Sequence, residues 1–352
     1  MKKKNYAQTL FGITLLTLAG TSLQAQNAAT QSLTHLTGED HVHHMLPPSK
    51  AGARTFEATF NTPTGNGPVV GALTYHGGPV MTTAVTYAIF WTPPTLQNGA
   101  ASGLSAAYEN IITNFLSLYP GHSIANNNTQ YYSTSSSGFF HFTSYITNTG
   151  SFAASYVDTT PYPASACSDP VTPSNCLSDA QIQAEVSKVM ASQGWTGGLN
   201  HIFFVYTGSG EGSCSSSGCA YTDYCGYHGY FNSGTTPVLY ANMPYAAAGY
   251  CQAGSSPNGA LDGDSAANIT SHELTEAMTD PELNAWYSAS GSEIGDLCAW
   301  NYGTNTWDGG LANESWPVSL SSLYLIGHPP VYNFELQMEY NNHTASCVQV
   351  GP

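Results

Sequence analysis

The chain has 352 residues, with 6 basic and 22 acidic side chains, a formal net charge of −16 and only 8% charged residues. Such a surface is a poor partner for nucleic acid or an anionic membrane. Ser, Thr, Asn, Gly and Tyr must supply most of the polar exterior, so stability is expected to depend little on ion pairs and to tolerate acid.

The N-terminus reads MKKK, then the apolar run LFGITLLTLAG, then TSLQAQ. That is the order of a secretory signal peptide cut after Ala25, so residues 1–25 are expected to be removed. Neither this run nor any later one is long enough to span a membrane. Loss of Lys2, Lys3 and Lys4 leaves Lys50, Arg54 and Lys188 against 22 acids, a net charge of −19. The expected product is a secreted monomer, extracellular or periplasmic.

Residues 26–64 include HLTGEDHVHHMLPPSK, which is polar, Pro-broken and without apolar periodicity. A flexible leader or pro-segment is expected there. His41, His43 and His44 are of metal-ligating type, but the flexible reading is preferred. Residues 65–352 are expected to form one domain. Val80–Trp91 reads as a strand. SAAYENIITNFLSLYPG carries Tyr108, Ile111, Ile112, Phe115 and Leu118 at helical spacing. Short strands are expected over 130–157. SDAQIQAEVSKVMASQGW is a second helix, with Ser178 as N-cap and Gly194 beyond its end. NHIFFVYTG is a buried strand. GTTPVLYANMPY is another, with Pro237 at its start or on an edge. The order predicts an α/β (α+β) domain: a mixed sheet flanked by helices, zincin-like, with a loop-rich C-terminal part held by disulfides.

The eight cysteines are Cys167, Cys176, Cys214, Cys219, Cys225, Cys251, Cys298 and Cys347. An even number in an exported chain favours disulfides, and the spacings lack the paired CxxC units of a metal cluster. Cys167–Cys176, Cys219–Cys225 and Cys298–Cys347 are candidate pairs, although spacing leaves the connectivity open.

A third helix is expected to begin near Asp264 or Ser265, with Asp264 as its cap, and to stop before Pro281. It contains HELTE. Residues four apart are offset by about 40° on a helix, so His272 and Glu276 project together, with Glu273 beside them. Zinc peptidases of the HExxH type have this arrangement: two ligands one turn apart and a Glu that takes a proton from the metal-bound water. The same letters also fit the solvated side of an amphipathic helix. Two features favour the metal. Asp262, Asp264, Glu273, Glu276, Asp280 and Glu282 have no Lys or Arg near them in sequence. Downstream, SGSEIGDLCAW offers Glu293 as third ligand, or else Asp296. The expected roles are therefore His272, Glu276 and Glu293 or Asp296 as metal ligands and Glu273 as general base. Asp280 and His228 would be auxiliary. Zn²⁺ is the expected ion, with Ca²⁺ or Mn²⁺ also open to so many oxygen ligands. Two carboxylate ligands would neutralise the ion and leave its water less acidic than a His/His/Glu set would.

YHGGPV before a strand, CGYHG at 225–229 and the Asp-Gly entry into the third helix resemble the EXORDIUM (phosphate-induced protein) family. These are secreted plant proteins with bacterial and fungal relatives, and the resemblance runs from about residue 70 to the C-terminus. SHELTEAMTDP, NAWY and EIGDLCAW are similar to the bacterial and fungal branch. The plant branch lacks HExxE, so the resemblance implies a fold that exists without a metal site. It also implies a structural hydrogen-bonding role for His228. Together the residues and the resemblance give two expectations. One is a secreted metal-dependent hydrolase, most simply a zinc endopeptidase acting on extracellular protein or peptide. The other is a non-catalytic EXORDIUM-like protein of the cell surface or of signalling.

Overall fold

The stretch HIFFVYT is an unbroken apolar and aromatic run, and a strand that apolar on both faces belongs in the middle of a sheet. It does lie there, in the computed structural model, which describes residues 42–48, 72–248, 251–317 and 331–352. The expected signal peptide, the rest of the leader and residues 65–71 lie outside the described residues.

Six strands form the main sheet: β1 (Val42–Met45), β2 (Ala84–Trp91), β3 (Gly150–Asp158), β4 (His201–Thr207), β5 (Gly226–Ser233) and β6 (Thr236–Met243). Their order across the sheet is β1-β5-β6-β4-β2-β3. β6, β4, β2 and β3 are parallel to one another. β5 runs antiparallel to β6, and β1 runs antiparallel to β5. β2 begins at Ala84 rather than Val80, because residues 76–83 are irregular, with bends at 77, 82 and 83, before the ladder starts.

Three long helices flank the sheet: α1 (Ala106–Leu118), α2 (Asp179–Gln193) and α3 (Leu261–Thr279). Ser105 caps α1 by accepting from the Tyr108 amide, and Tyr108, Ile111, Ile112, Phe115 and Leu116 are its buried face. Ser178 and Gln181 form a capping box at the start of α2, which ends at Gly194. Successive strand residues serve opposite layers. On β4, the Tyr206 hydroxyl lies 3.0 Å from Thr270 of α3. On β5, Tyr227 donates to Asp179 of α2 at 2.8 Å, while its neighbour His228 lies against Glu273 of α3. The architecture is thus mixed α/β, with α1 and α3 on one face of the sheet and α2 on the other.

α3 was expected to start at an Asp264 cap, and it starts one turn earlier, after Ala260. Asp264 instead ties down the incoming loop, accepting from Ser256 Oγ at 2.6 Å and Asn258 Nδ2 at 2.5 Å. The predicted end before Pro281 holds, with Asp280 as the last half-helical residue. Every residue from Gly263 to Thr279 is buried, so this helix has no solvated side. Gly263 makes the crossing with α1 possible. A Cβ there would lie 2.8 Å from Ile111 Cδ1 and 3.1 Å from Tyr108 Cα.

Four disulfides connect Cys167–Cys176, Cys214–Cys219, Cys225–Cys251 and Cys298–Cys347. Cys219–Cys225 is therefore not a pair. Cys214 and Cys219 face each other in register across a small hairpin, with Cα atoms 4.1 Å apart, and Cys225 at the head of β5 reaches Cys251. Beyond α3 the described chain has only strands of two to four residues and 3₁₀ turns, the loop-rich part the sequence predicts. Val42–Met45, expected to be structureless, forms β1 because the free edge of β5 gives it a hydrogen-bonding partner.

Two consequences can be measured. Gly263→Val forces α1 and α3 apart and is expected to lower unfolding free energy by about 1–3 kcal/mol in urea titrations. The second concerns acid. Burial pushes Glu185 up to about 8 and Glu211 up to about 7. Folding then binds protons, so stability falls as pH rises from the unfolded carboxylate range near 4.5 through these values. With chelator present, the melting temperature should rise from pH 8 to pH 5, and Glu185→Gln with Glu211→Gln should flatten that rise.

Candidate metal centre

The sequence places four acids or imidazoles on one stretch of α3, and the fold brings others to meet them. His272, Glu273, Glu276 and Asp280 are all 0% exposed. The loop after α3 folds back so that Glu293 and Asp296 are also buried. Backbone bonds fix that loop: the Asp296 amide donates to Glu276 Oε1 at 3.0 Å, and the Glu293 amide donates to Asp296 Oδ2 at 3.2 Å. Cys298–Cys347 anchors its far end. Gly295 lets the loop close on the helix. A Cβ there would stand 2.6 Å from His272 Nδ1 and 3.0 Å from Glu276 Oε1.

The sheet contributes two imidazoles. β1 and β5 pair His43 with His228 directly, and both face α3. His228 Nδ1 lies 3.4 Å from Glu273 Oε2 and 3.7 Å from Glu276 Oε2, and its Nε2 lies 3.8 Å from Glu293 Oε2. His43 Nε2 is 2.7 Å from Asp296 Oδ2, and its Nδ1 is 3.4 Å from Glu293 Oε1. His272 sits at the margin of this group. Its Nε2 is 3.1 Å from Glu276 Oε1, and Gln337 Nε2 bonds its Nδ1 at 2.9 Å and the Gly295 carbonyl at 3.0 Å.

Two sets of ligand-type atoms emerge, each with all members within 4.8 Å of one another: His43, Glu276 and Asp296, and His228, Glu273 and Glu276. Ligand bonds of about 2.0–2.2 Å place opposed ligand atoms at most about 4.4 Å apart, so a small contraction closes either set on one ion. Glu276 is common to both. Of the residues expected from sequence, Glu273, Glu276, Glu293, Asp296 and His228 are gathered here. His272 touches the group through Glu276. Asp280 is outside both sets: its Oδ1 accepts from the amides of Asn284 and Ala285, both at 2.6 Å, and so shapes the turn after the helix.

Electrostatics make the group unusual. Among the described residues the only Lys or Arg is Lys188, and it is engaged with Asp158, at 2.6 Å, and Glu185. Among the described residues no fixed cation offsets the acids around α3. Burial pushes Glu273 and Glu293 well above the usual carboxylate range, and their acidic neighbours add to it. Glu339, buried nearby on a C-terminal strand, is raised in the same way by burial. Desolvation depresses His228, and the nearby His43 and His272 add to it. For His43, desolvation lowers the imidazole, but Asp296, Glu276 and Glu273 together lift it to about 9. For His272, desolvation is likewise overcome by Glu276, Asp296 and Glu339, which lift it to about 9. Among the described residues, the buried carboxylate oxygens Glu273 Oε1, Glu276 Oε2 and Glu293 Oε2 have no hydrogen-bond partner. A buried acceptor left unpaired is costly, and a bound cation is one way to satisfy several at once.

Sequence reasoning set His43 aside and did not single out Gln337 or Glu339. A His-rich leader was a usable signal for the first. For Gln337 and Glu339 no local pattern marks the role, because both arrive through tertiary pairing of a loop-rich tail.

No family model matches the chain, and no solved structure matches it. Among curated proteins, Protein EXORDIUM-like 5 of Arabidopsis thaliana is 37% identical over 70 residues, which covers 17% of this chain and 19% of the plant protein. The match therefore spans about a fifth of that relative, a local similarity to an EXORDIUM-like protein.

Proposed function

We propose that this protein is an exported, divalent-metal-dependent hydrolase of zincin-like design that cleaves extracellular protein or peptide. The observation that carries this reading is a buried group of acids and imidazoles centred on Glu276, with carboxylate oxygens unpaired and no Lys or Arg beside them among the described residues. Zn²⁺ or Mn²⁺ fits the mixed imidazole and carboxylate donors better than Ca²⁺, which prefers oxygen alone. Four disulfides accord with an oxidising compartment, and no helix among the described residues is long and apolar enough to cross a membrane.

Glu276 is the ligand common to every placement of the ion. Asp296 and Glu293 supply further charge from the loop, and His272 and His228 supply imidazole from the helix and the sheet. When bound, the ion would polarise a scissile carbonyl and acidify water. Among the described residues, Glu273 Oε1 has no hydrogen-bond partner and stands beside this point. A carboxylate so placed takes a proton from water and returns it to the leaving amine. Gln337 holds the His272 ring in one orientation, as outer hydrogen-bond partners of ligating histidines do.

The similarity to EXORDIUM-like 5 and the complete burial of Glu273 and Glu276 favour a second reading, a non-catalytic exported protein of the EXORDIUM type. Metal analysis separates the two. Purified protein should hold about one Zn²⁺ or Mn²⁺ per chain by plasma emission spectrometry, released by chelators. A wild-type protein that binds neither ion at neutral pH ends the hydrolase proposal. Glu276→Ala should abolish binding. Glu273→Ala should keep the ion while peptide hydrolysis falls by about 10²–10⁴-fold, and loss of the ion would instead make Glu273 a ligand. Comparing His272→Ala with His228→Ala assigns the imidazole: the ligand variant loses metal, and the other loses mainly rate.

A further inference from the structure

Every strand of the main sheet except β1 comes from the body of the domain. β1 comes from the leader, far away in sequence, and pairs antiparallel with β5 over Val42↔Gly229, His43↔His228, His44↔Tyr227 and Met45↔Gly226. β5 has β6 on its other side, so departure of β1 would leave a row of free backbone donors and acceptors along β5. That row runs directly beside the acids of α3.

The position of β1 relative to those acids matters. Glu273 and Glu276 are 0% exposed, and the Glu293 and Asp296 side chains are 2% exposed. The His43 side chain contacts Glu293 and Asp296 and is itself 18% exposed, so β1 covers the acids on its side. Its contacts are those that an extended polypeptide would make. The Met45 backbone N–H interacts with the Glu273 carboxylate. The Cys225 amide donates to the Met45 carbonyl at 2.8 Å, and the Trp300 indole donates to the Leu46 carbonyl at 2.8 Å. Side chains then alternate. His43 faces the acids, while Met45 is fully buried. His44 points to the opposite face, where it stacks on Tyr224 with ring centroids 4.8 Å apart.

We infer that the edge of β5 is the polypeptide-binding edge of this site, and that Val42–Met45 occupies it as a built-in stand-in for an extended substrate strand. The inference rests on the hydrolase reading above and names its substrate class and its control. Backbone pairing selects for extended polypeptide of any sequence. Side-chain preference comes from two positions: an imidazole or cationic residue over the acids, where His43 lies, and an apolar residue two places on, where Met45 lies. With β1 in place, the acids of α3 are shut from substrate. Displacement or removal of the leader opens them.

The test uses the full chain in two variants. Met45→Asp puts a charge into a fully buried site and should expel the strand. A double variant, His43→Ala with His44→Ala, weakens its anchors without adding charge. The probe is a fluorescein-labelled synthetic peptide HVHHMLPP, the sequence of residues 41–48, followed by fluorescence anisotropy. Both variants should capture it at least roughly tenfold more tightly than wild type does, and a peptide carrying His44→Pro should not bind, because proline breaks the ladder. Hydrogen exchange at Gly226–Ser233 should rise in both variants and fall again with peptide. Variants that fold and lose protection at β5 without capturing peptide overturn the inference. So does wild type that binds as well as the variants, and so does unfolding of both variants, which would make β1 an integral strand. Metal content is read on the same samples. Metal without peptide capture removes the binding edge and leaves the metal site, and capture without metal does the reverse.

Discussion

The structure is organised around carboxylates buried, among the described residues, without a fixed cation. Six acids, Glu273, Glu276, Asp280, Glu293, Asp296 and Glu339, lie in or beside the interior contacts of α3. Isolated buried charge is expensive, so such groups either protonate, pair or bind a cation. Among the described residues the usual partner is missing, since Lys188 is the one Lys or Arg there and serves another group. Imidazole and proton are what remain among those residues. That explains why His43, His228 and His272 all converge here, and why the buried acids are pushed upward.

The fold serves this arrangement at each level. A helix of mostly small and polar residues can be buried on all sides only if its neighbours approach closely. Gly263 permits this at the α1 crossing, and Gly295 permits it at the returning loop. The loop itself would be mobile if held by side chains alone. Two backbone amides and the Cys298–Cys347 disulfide hold it instead, so Glu293 and Asp296 keep their places without salt bridges. Low charge elsewhere on the chain is consistent with the same constraint, because a surface lysine able to fold inward would compete for these acids.

Much of this was legible in the sequence because it is local. The capping box of α2, the buried run of β4 and the stop of α3 at Pro281 each follow from adjacent residues. HELTE and EIGDLC were legible as spacing on one helix and one loop. Where the reading failed, the cause was long range or one residue more local than expected. Asp264 looks like a cap, but Ser256 and Asn258 take its side chain first. Cys219 prefers Cys214 because hairpin register opposes them. His43 meets Asp296 across 253 positions, and nothing in a polar, Pro-broken segment announces a sheet partner.

His43 also changes the meaning of burial at this site. A catalytic group sealed from solvent ordinarily argues against catalysis, and for α3 alone that argument would be strong. Here one covering element is a four-residue strand, at the sheet edge among the described residues, held by backbone pairing and a few side-chain contacts. Edge strands are the part of a sheet most readily exchanged, since they lose hydrogen bonds on one side only and a competing strand restores the same bonds. The side of the acids that His43 covers is thus closed by the element of the sheet that is easiest to replace with another polypeptide. A purely structural core would have no need for its most polar contents to lie behind such a strand. A site that must be both charged and dry until an extended chain arrives has a physical reason for that placement.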